Sequence, residues 1–239
     1  MPDRVDVRLV ELAERWELSE DAPAQLRKIL ELVQEEPSSI TAVRDPKRGV
    51  DVHVGDSLAG LALPELRGAR AIADLGSGGG FPGLVLAVAL PDTTVNLVES
   101  VGKKADFLLR TADAVGLTNV CVVNARAEGW PEGIGANDVV TARALAPLNI
   151  LVEYAAPLLE EGGRLVAWKG KRDPSEERDG LHAAEVVGLE AHEPTTAPTF
   201  PGGDERHLYV YLKVRPTPPR FPRREGIARK RPLQPSTTG

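Results

Sequence analysis

This 239-residue chain has a single cysteine, Cys121, which excludes an intramolecular disulfide framework and any cysteine-based zinc site. A reducing compartment follows as the expectation. The histidines His53, His182, His192 and His207 are scattered, so no metal cluster is expected. Aromatic residues make up only 4%, which leaves few candidates for stacking, Phe81 and Trp168 among them. Long apolar runs are also lacking. The longest, Leu84 to Leu90, falls far short of the roughly 20 residues a spanning helix needs, and the N-terminus has no basic-then-apolar leader pattern. A soluble, cytoplasmic chain without a membrane partner is therefore expected. Finally, a positive excess is missing: 29 basic residues stand against 35 acidic ones, a net charge of −6 that on average opposes a phosphate-rich partner.

Charge is present, but unevenly placed. Residues 215–239 hold Arg215, Arg220, Arg223, Arg224, Arg229, Lys230 and Arg231 against the single acid Glu225, so this tail carries +6 and the rest of the chain −12. Six prolines in the same stretch predict an extended or disordered segment. It reads either as a solubilising tail or as an arm for phosphates. On the second reading its removal weakens binding of a phosphate-rich partner and leaves sites elsewhere in the chain nearly unchanged.

The chain length fits one large domain with a small appendage. Apolar spacing predicts helices over 5–18 and 20–35, the second capped by Ser19 and ended by Pro37. An irregular stretch through Pro46, Gly49 and Gly55 follows. From about residue 70, β-rich runs at 70–75, 94–99, 119–124, 138–142, 164–168 and 207–214 alternate with helical runs at 82–90, 102–115, 147–160 and 174–187. This alternation predicts a doubly wound, mostly parallel α/β sheet whose last strand pairs antiparallel. The division is a helical segment over 1–60, a main domain over 61–214 and the basic tail over 215–239.

The glycine-rich turn Asp74-Leu75-Gly76-Ser77-Gly78-Gly79-Gly80-Phe81-Pro82-Gly83 joins the first strand to its helix, the usual ligand cradle of such sheets. Gly76-x-Gly78-x-Gly80 suits S-adenosylmethionine (SAM), while Gly78-x-Gly80-x-x-Gly83 also satisfies a dinucleotide fingerprint. Glu99, ending the second strand, suits the ribose of either ligand, and Ala127 and Glu128 lie where an adenine edge would be read. Tyr209-x-x-x-Lys213 has the spacing of a reductase dyad, but it lies in an alternating run that reads as a strand. A nicotinamide-dependent reductase and a noncatalytic RNA-binding module stay as alternatives.

The motif Gly76-Ser77-Gly78-Gly79-Gly80-Phe81-Pro82-Gly83 resembles the Gly-Ser-Gly-x-Gly-Phe-Pro-Gly loop of the RsmG/GidB family (glucose-inhibited division protein B), bacterial 16S ribosomal RNA guanine-N7 methyltransferases. The resemblance runs on through Thr41-Ala42-Val43-Arg44-Asp45-Pro46, His53-x-x-Asp56, Glu99-Ser100, Arg126-Ala127-Glu128, Ala142-Arg143-Ala144, Lys169-Gly170 and Glu205-Arg206-His207. It implies a class I SAM-dependent methyltransferase fold, a Rossmann-like sheet of seven strands with N-terminal helices. It also implies SAM held by Asp74, Gly76, Gly78, Phe81, Glu99, Ser100, Val101, Ala127, Glu128 and Arg143. The partner it implies is 16S rRNA or the assembling small subunit, met as a monomer.

Guanine N7 has a free lone pair at neutral pH, so its methylation needs positioning and charge tolerance but no general base. The sequence agrees in lacking an Asn/Asp-Pro-Pro-aromatic motif at the end of the fourth strand, where Asp138-Val139-Val140-Thr141-Ala142-Arg143 stands. Arg126 and Arg143, taken as ends of neighbouring strands, are expected to form with Lys169 and Arg206 a basic rim for phosphate at the pocket mouth.

Overall fold

β1 (Ala71–Leu75) is buried along nearly its whole length, the burial expected of a central parallel strand covered on both faces. In a computed structural model that describes residues 3–198 and 205–235, it lies inside an eight-stranded sheet. The order is β3-β2-β1-β4-β5-β8-β6, with β7 beside β8. Here β2 is Thr94–Val98, β3 Val120–Val123, β4 Asn137–Arg143, β5 Leu159–Lys169, β6 Leu189–Ala191, β7 Thr195–Thr196 and β8 His207–Lys213. β1 to β5 run parallel, and β8 pairs antiparallel with β5, β6 and β7. The antiparallel last strand is as expected; the seven strands of the main path gain an eighth, two-residue strand. β6 and β7 escape sequence reading because three and two residues are too short to display a period.

Between the strands lie α6 (Gly83–Ala89), α7 (Gly102–Val115), α8 (Leu148–Leu158) and α9 (Pro174–Val187). After β3 the chain returns to the far side of β1 to lay down β4, so the strand order reverses between β1 and β4. That switch point opens a crevice at their carboxyl ends.

On one face of the sheet, α6 and α7 are covered in turn by α2 (Ala22–Glu35), on which α1 (Arg4–Trp16) packs. Leu9, Leu12, Leu26, Ile29, Leu30 and Val33 from α1 and α2 share one apolar cluster with Leu84, Val85, Ile72, Val166 and Trp168. The α2 start is corrected: the helix begins at Ala22 after Asp21, which makes no side-chain cap bond, and Ser19 offers only its carbonyl, to Ala22 N at 3.1 Å.

The stretch expected to be irregular is mostly helical: α3 (Pro46–Gly49), a π-helical turn (Val50–Gly55), α4 (Asp56–Leu58), a 3-10 turn (Ala59–Ala62) and α5 (Pro64–Arg67). Its glycines serve close packing, not chain breaking. A Cβ on Gly49 would lie 3.0 Å from Leu30 Cδ2, and one on Gly60 would lie 2.8 Å from Leu66 Cδ2.

The tail expectation is also corrected. Residues 215–235 follow the body in a defined path and include a one-turn helix, α10 (Ile227–Lys230). Prolines exclude a long helix but not packing: Phe221 and Ala228 are buried, and Arg223 forms an ion pair with the buried carboxylate of Glu153. Residues 236–239 lie outside the described residues.

Candidate active site

Asp74, the last residue but one of β1, is fully buried, and its carboxylate ties the glycine loop to the sheet. Oδ1 accepts from Thr141 Oγ1 at 2.9 Å and Oδ2 from Gly83 N at 3.1 Å. Burial pushes its pKa up to about 6, while the hydrogen bonds from Thr141, Ser77 and Gly83 pull the other way. Asp74 therefore stands beneath the loop as a brace; it does not line either cleft beside the loop.

Gly76 leaves the strand with φ +66, and a Cβ there would sit 2.6 Å from Leu145 Cδ1. Next to it, Glu99 is buried and fixed by two backbone donors: Gly78 N to Oε2 at 3.0 Å and Val101 N to Oε1 at 2.8 Å. Each carboxylate oxygen keeps acceptor capacity for a hydroxyl. Leu75, Gly76, Ser100, Ala127, Glu128 and Leu145 line a cleft of ≈ 60 Å³, and Tyr154 and Arg229 close it.

On the other side of Gly76 a larger cleft of ≈ 420 Å³ runs past Gly78, Phe81, Lys104, Arg143 and Arg206 to Thr41, His53 and Asp56. Asp56, 5% exposed, grips both arginines: Arg143 Nη1 donates to Oδ2 and Arg206 Nε to Oδ1, each at 2.8 Å. Arg143 also donates to Val52 O at 3.1 Å and lies 5.5 Å above the Phe81 ring. His53 stacks on Phe81 with centroids 4.2 Å apart and rings 8° from parallel. Burial pushes the His53 pKa down to about 4, with Arg143 adding to the effect and the bond to Val43 opposing it. The neutral ring donates from Nε2 to Val43 O at 2.8 Å, and its Nδ1 accepts from Arg143 Nη2 at 3.3 Å.

The expected four-membered basic rim divides. Arg143 and Arg206 come together, but Arg126 does not join them. It follows β3, and β2 and β1 lie between β3 and β4, so Arg126 stands at the smaller cleft and pairs with Glu225 at 3.5 Å. Lys169 Nζ is held by Glu176 at 2.5 Å and Ala146 O at 3.1 Å, away from both clefts. Among the remaining site residues, Gly76, Ser100, Ala127 and Glu128 gather at the smaller cleft and Gly78 and Phe81 at the larger. Val101 reaches the site through its amide, its side chain 47% exposed. Trp168 is core, donating from Nε1 to Asp56 O at 2.9 Å.

Tyr209 and Lys213 form no dyad: Tyr209 OH donates to Glu177 at 2.5 Å, while Lys213 Nζ donates to Ala156 O and Leu159 O at 2.8 and 2.6 Å. No group of three potential metal ligands occurs among the described residues, and no helix there is long and apolar enough to cross a membrane. Asp56 and His53 are the residues that sequence reading undervalued. Their signal was the His53-x-x-Asp56 spacing, which puts both on successive turns of one short helical stretch.

Residues 24–209 match the family model described as rRNA small subunit methyltransferase G, GidB. The chain is 42% identical over 203 residues to the ribosomal RNA small subunit methyltransferase G of Rubrobacter xylanophilus, covering 82% of this chain and 78% of that one. To the protein of the same name from Chloroflexus aggregans it is 41% identical over 235 residues, covering 94% and 97%. Among solved structures it is similar to the antibiotic-resistance methyltransferase Kmr, with TM-score 0.51 and 20% identity over 66% of this chain and 94% of that one. A SAM-dependent O-methyltransferase of Thermotoga maritima gives TM-score 0.51 and 16% identity over 75% and 72%, a likeness of fold alone. The sheet order, the loop at its switch point and these matches over most of the chain agree: the chain belongs to the rRNA small subunit methyltransferase G (GidB) family.

Proposed function

We propose that this protein transfers a methyl group from SAM to N7 of a guanine in 16S rRNA, acting in the cytoplasm as a monomer on the RNA or the assembling small subunit. The observation that carries the reading is one cleft in which the Gly76–Phe81 loop faces two arginines clamped on Asp56. In this reading 61–214 is the catalytic body, 1–60 its cover and 215–239 the basic tail, whose described part, 215–235, is a strap.

The smaller cleft suits the adenosine part of SAM. Gly76 leaves space where a Cβ would stand, the Glu99 carboxylate is held for ribose hydroxyls, and the Ala127–Glu128 backbone faces the adenine position. When bound, SAM supplies an electrophilic sulfonium methyl group. The protein's own side chains then have to orient the base and hold the RNA. His53 is neutral at pH 7 and both ring nitrogens are engaged, so it serves as a flat surface with Phe81 and not as a base. That suits N7, which has no proton to remove. Arg143 and Arg206 together outweigh the single charge of Asp56, and their remaining N–H groups are donors of the kind that phosphate accepts. In A-form RNA the N7 edge lies in a groove too deep and narrow for side chains, so the target base is presented from a loop or bulge.

Titration calorimetry of the full chain with SAM and with NADH, followed by transfer of a labelled methyl group to 16S rRNA, tests the reading. SAM binding with transfer is the expected result; NADH binding without SAM binding contradicts it.

A further inference from the structure

Beyond β8 the chain crosses back over α8 and is fastened at two places. On one side Thr217 Oγ1 donates to Ala156 O at 3.0 Å, Phe221 is buried, and Arg223 pairs with Glu153. On the other, Asn149 Nδ2 donates to Leu233 O at 2.9 Å. Between these anchors the strap spans the smaller cleft. Gly226 N donates to Glu128 Oε1 at 3.0 Å, Glu225 faces Arg126 at 3.5 Å, and Arg229 Nη2 donates to Leu145 O at 3.1 Å.

The cleft under that span measures ≈ 60 Å³, against roughly 300–1,000 Å³ for small-molecule sites. Arg229 is one of its walls. The cleft is narrow and open on one side, and the strap is its outer wall. Lifting the strap would break the exposed Arg126–Glu225 pair, which contributes little, together with the Gly226–Glu128 and Arg229–Leu145 hydrogen bonds and the burial of Ala228.

We propose that residues 224–231 are a movable outer wall of the cofactor site, lifted to admit the adenosine and shut over it afterwards. This rests on the SAM reading above and deepens it. It also changes the part assigned to the basic tail: Arg223 and Arg229 are engaged with the body, Arg229 at the cofactor cleft, so losing the strap weakens SAM binding as well as any RNA contact. Glu128, Arg126 and Leu145, drawn from the ends of β3 and β4, become the sill on which the wall closes.

The test is limited trypsin digestion of the full chain with and without S-adenosylhomocysteine, cleavage being followed after Arg224, Arg229 and Lys230. Saturating ligand is expected to slow cleavage at these sites while cleavage elsewhere is unchanged. In parallel, the double variant Glu225→Ala/Arg229→Ala, which alters only side chains on the strap, is expected to bind the ligand about tenfold more weakly by calorimetry, some 1.4 kcal/mol. Unchanged strap cleavage in a chain that calorimetry shows to be liganded overturns the movable wall. So does an unchanged Kd in the double variant. Absence of ligand binding to the full chain is a different outcome and overturns the SAM reading itself.

Discussion

Asp74 and His53 are both buried, and burial moves their pKa values in opposite senses, up to about 6 and down to about 4. Between pH 4 and 6 native Asp74 holds a proton that the unfolded chain has released, so its contribution to stability is full below about pH 4 and is lost as the pH rises through 6. His53 does the reverse. In the unfolded chain it is protonated below about 6.5, so its contribution is present above that pH and is lost as the pH falls through 4. Each effect amounts to about 3 kcal/mol, and over this window they oppose each other. Denaturant unfolding across pH 4–7 checks this: Asp74→Asn should leave a stability that rises with pH, and His53→Gln one that falls. Parallel curves for the two variants would contradict the assignment.

Asp56 acts through the arginines it holds. Replacing it by Ala leaves two guanidinium groups unpaired in a half-closed cleft, at a cost of about 3 kcal/mol, the low end for a broken buried pair because Arg206 can turn outward. Methyl-transfer kcat/KM should fall at least about tenfold while SAM affinity stays within about twofold, with Asp56→Asn intermediate. An equal fall in SAM affinity would place Asp56 in the cofactor site instead. At this scale the sequence displayed the right residue types but not their neighbours. Arg126, Arg143, Lys169 and Arg206 all lie at or beside strand ends, yet which acid each meets depends on strand order, and strand order carries no local signal.

The glycine loop is the element on which both clefts depend. Gly80 has φ +91 and a Cβ there would collide with Leu84 Cδ1, whereas a Cβ on Gly79 meets nothing closer than Ile40 O at 3.5 Å. Gly80→Ala should therefore destabilise by about 1–2 kcal/mol or more and weaken SAM binding, while Gly79→Ala should be tolerated. Equal melting temperatures for the two variants would remove the geometric argument. The loop was legible because its chemistry is written in consecutive residues, as were the long helices α1, α2, α7 and α9 with their apolar spacing. The helical run from Pro46 to Arg67 was not. Its glycines look like breaks in sequence and act as contact points only once α2 and the sheet lie against them.

Across the whole molecule, the N-terminal helices and the sheet share one apolar cluster that extends from Leu9 and Leu26 to Val166 and Trp168. Thermal unfolding should then be a single transition seen alike by far-UV and tryptophan signals, and a chain starting at residue 38 should lose it. An intact transition in the shortened chain would show the helices to be an appendage. The net charge of −6 says little about the partner, since residues 215–239 carry +6 against −12 for the rest and Lys104, Arg143 and Arg206 gather at one cleft. The central claim is that this fold methylates N7 of a guanine in 16S rRNA. Reductive strand cleavage at N7-methylguanine, mapped in 16S rRNA from cells with and without the protein, tests it most directly. The account predicts one cleavage site that disappears without the protein and returns when labelled SAM and the purified chain are supplied. An unchanged cleavage pattern would contradict it.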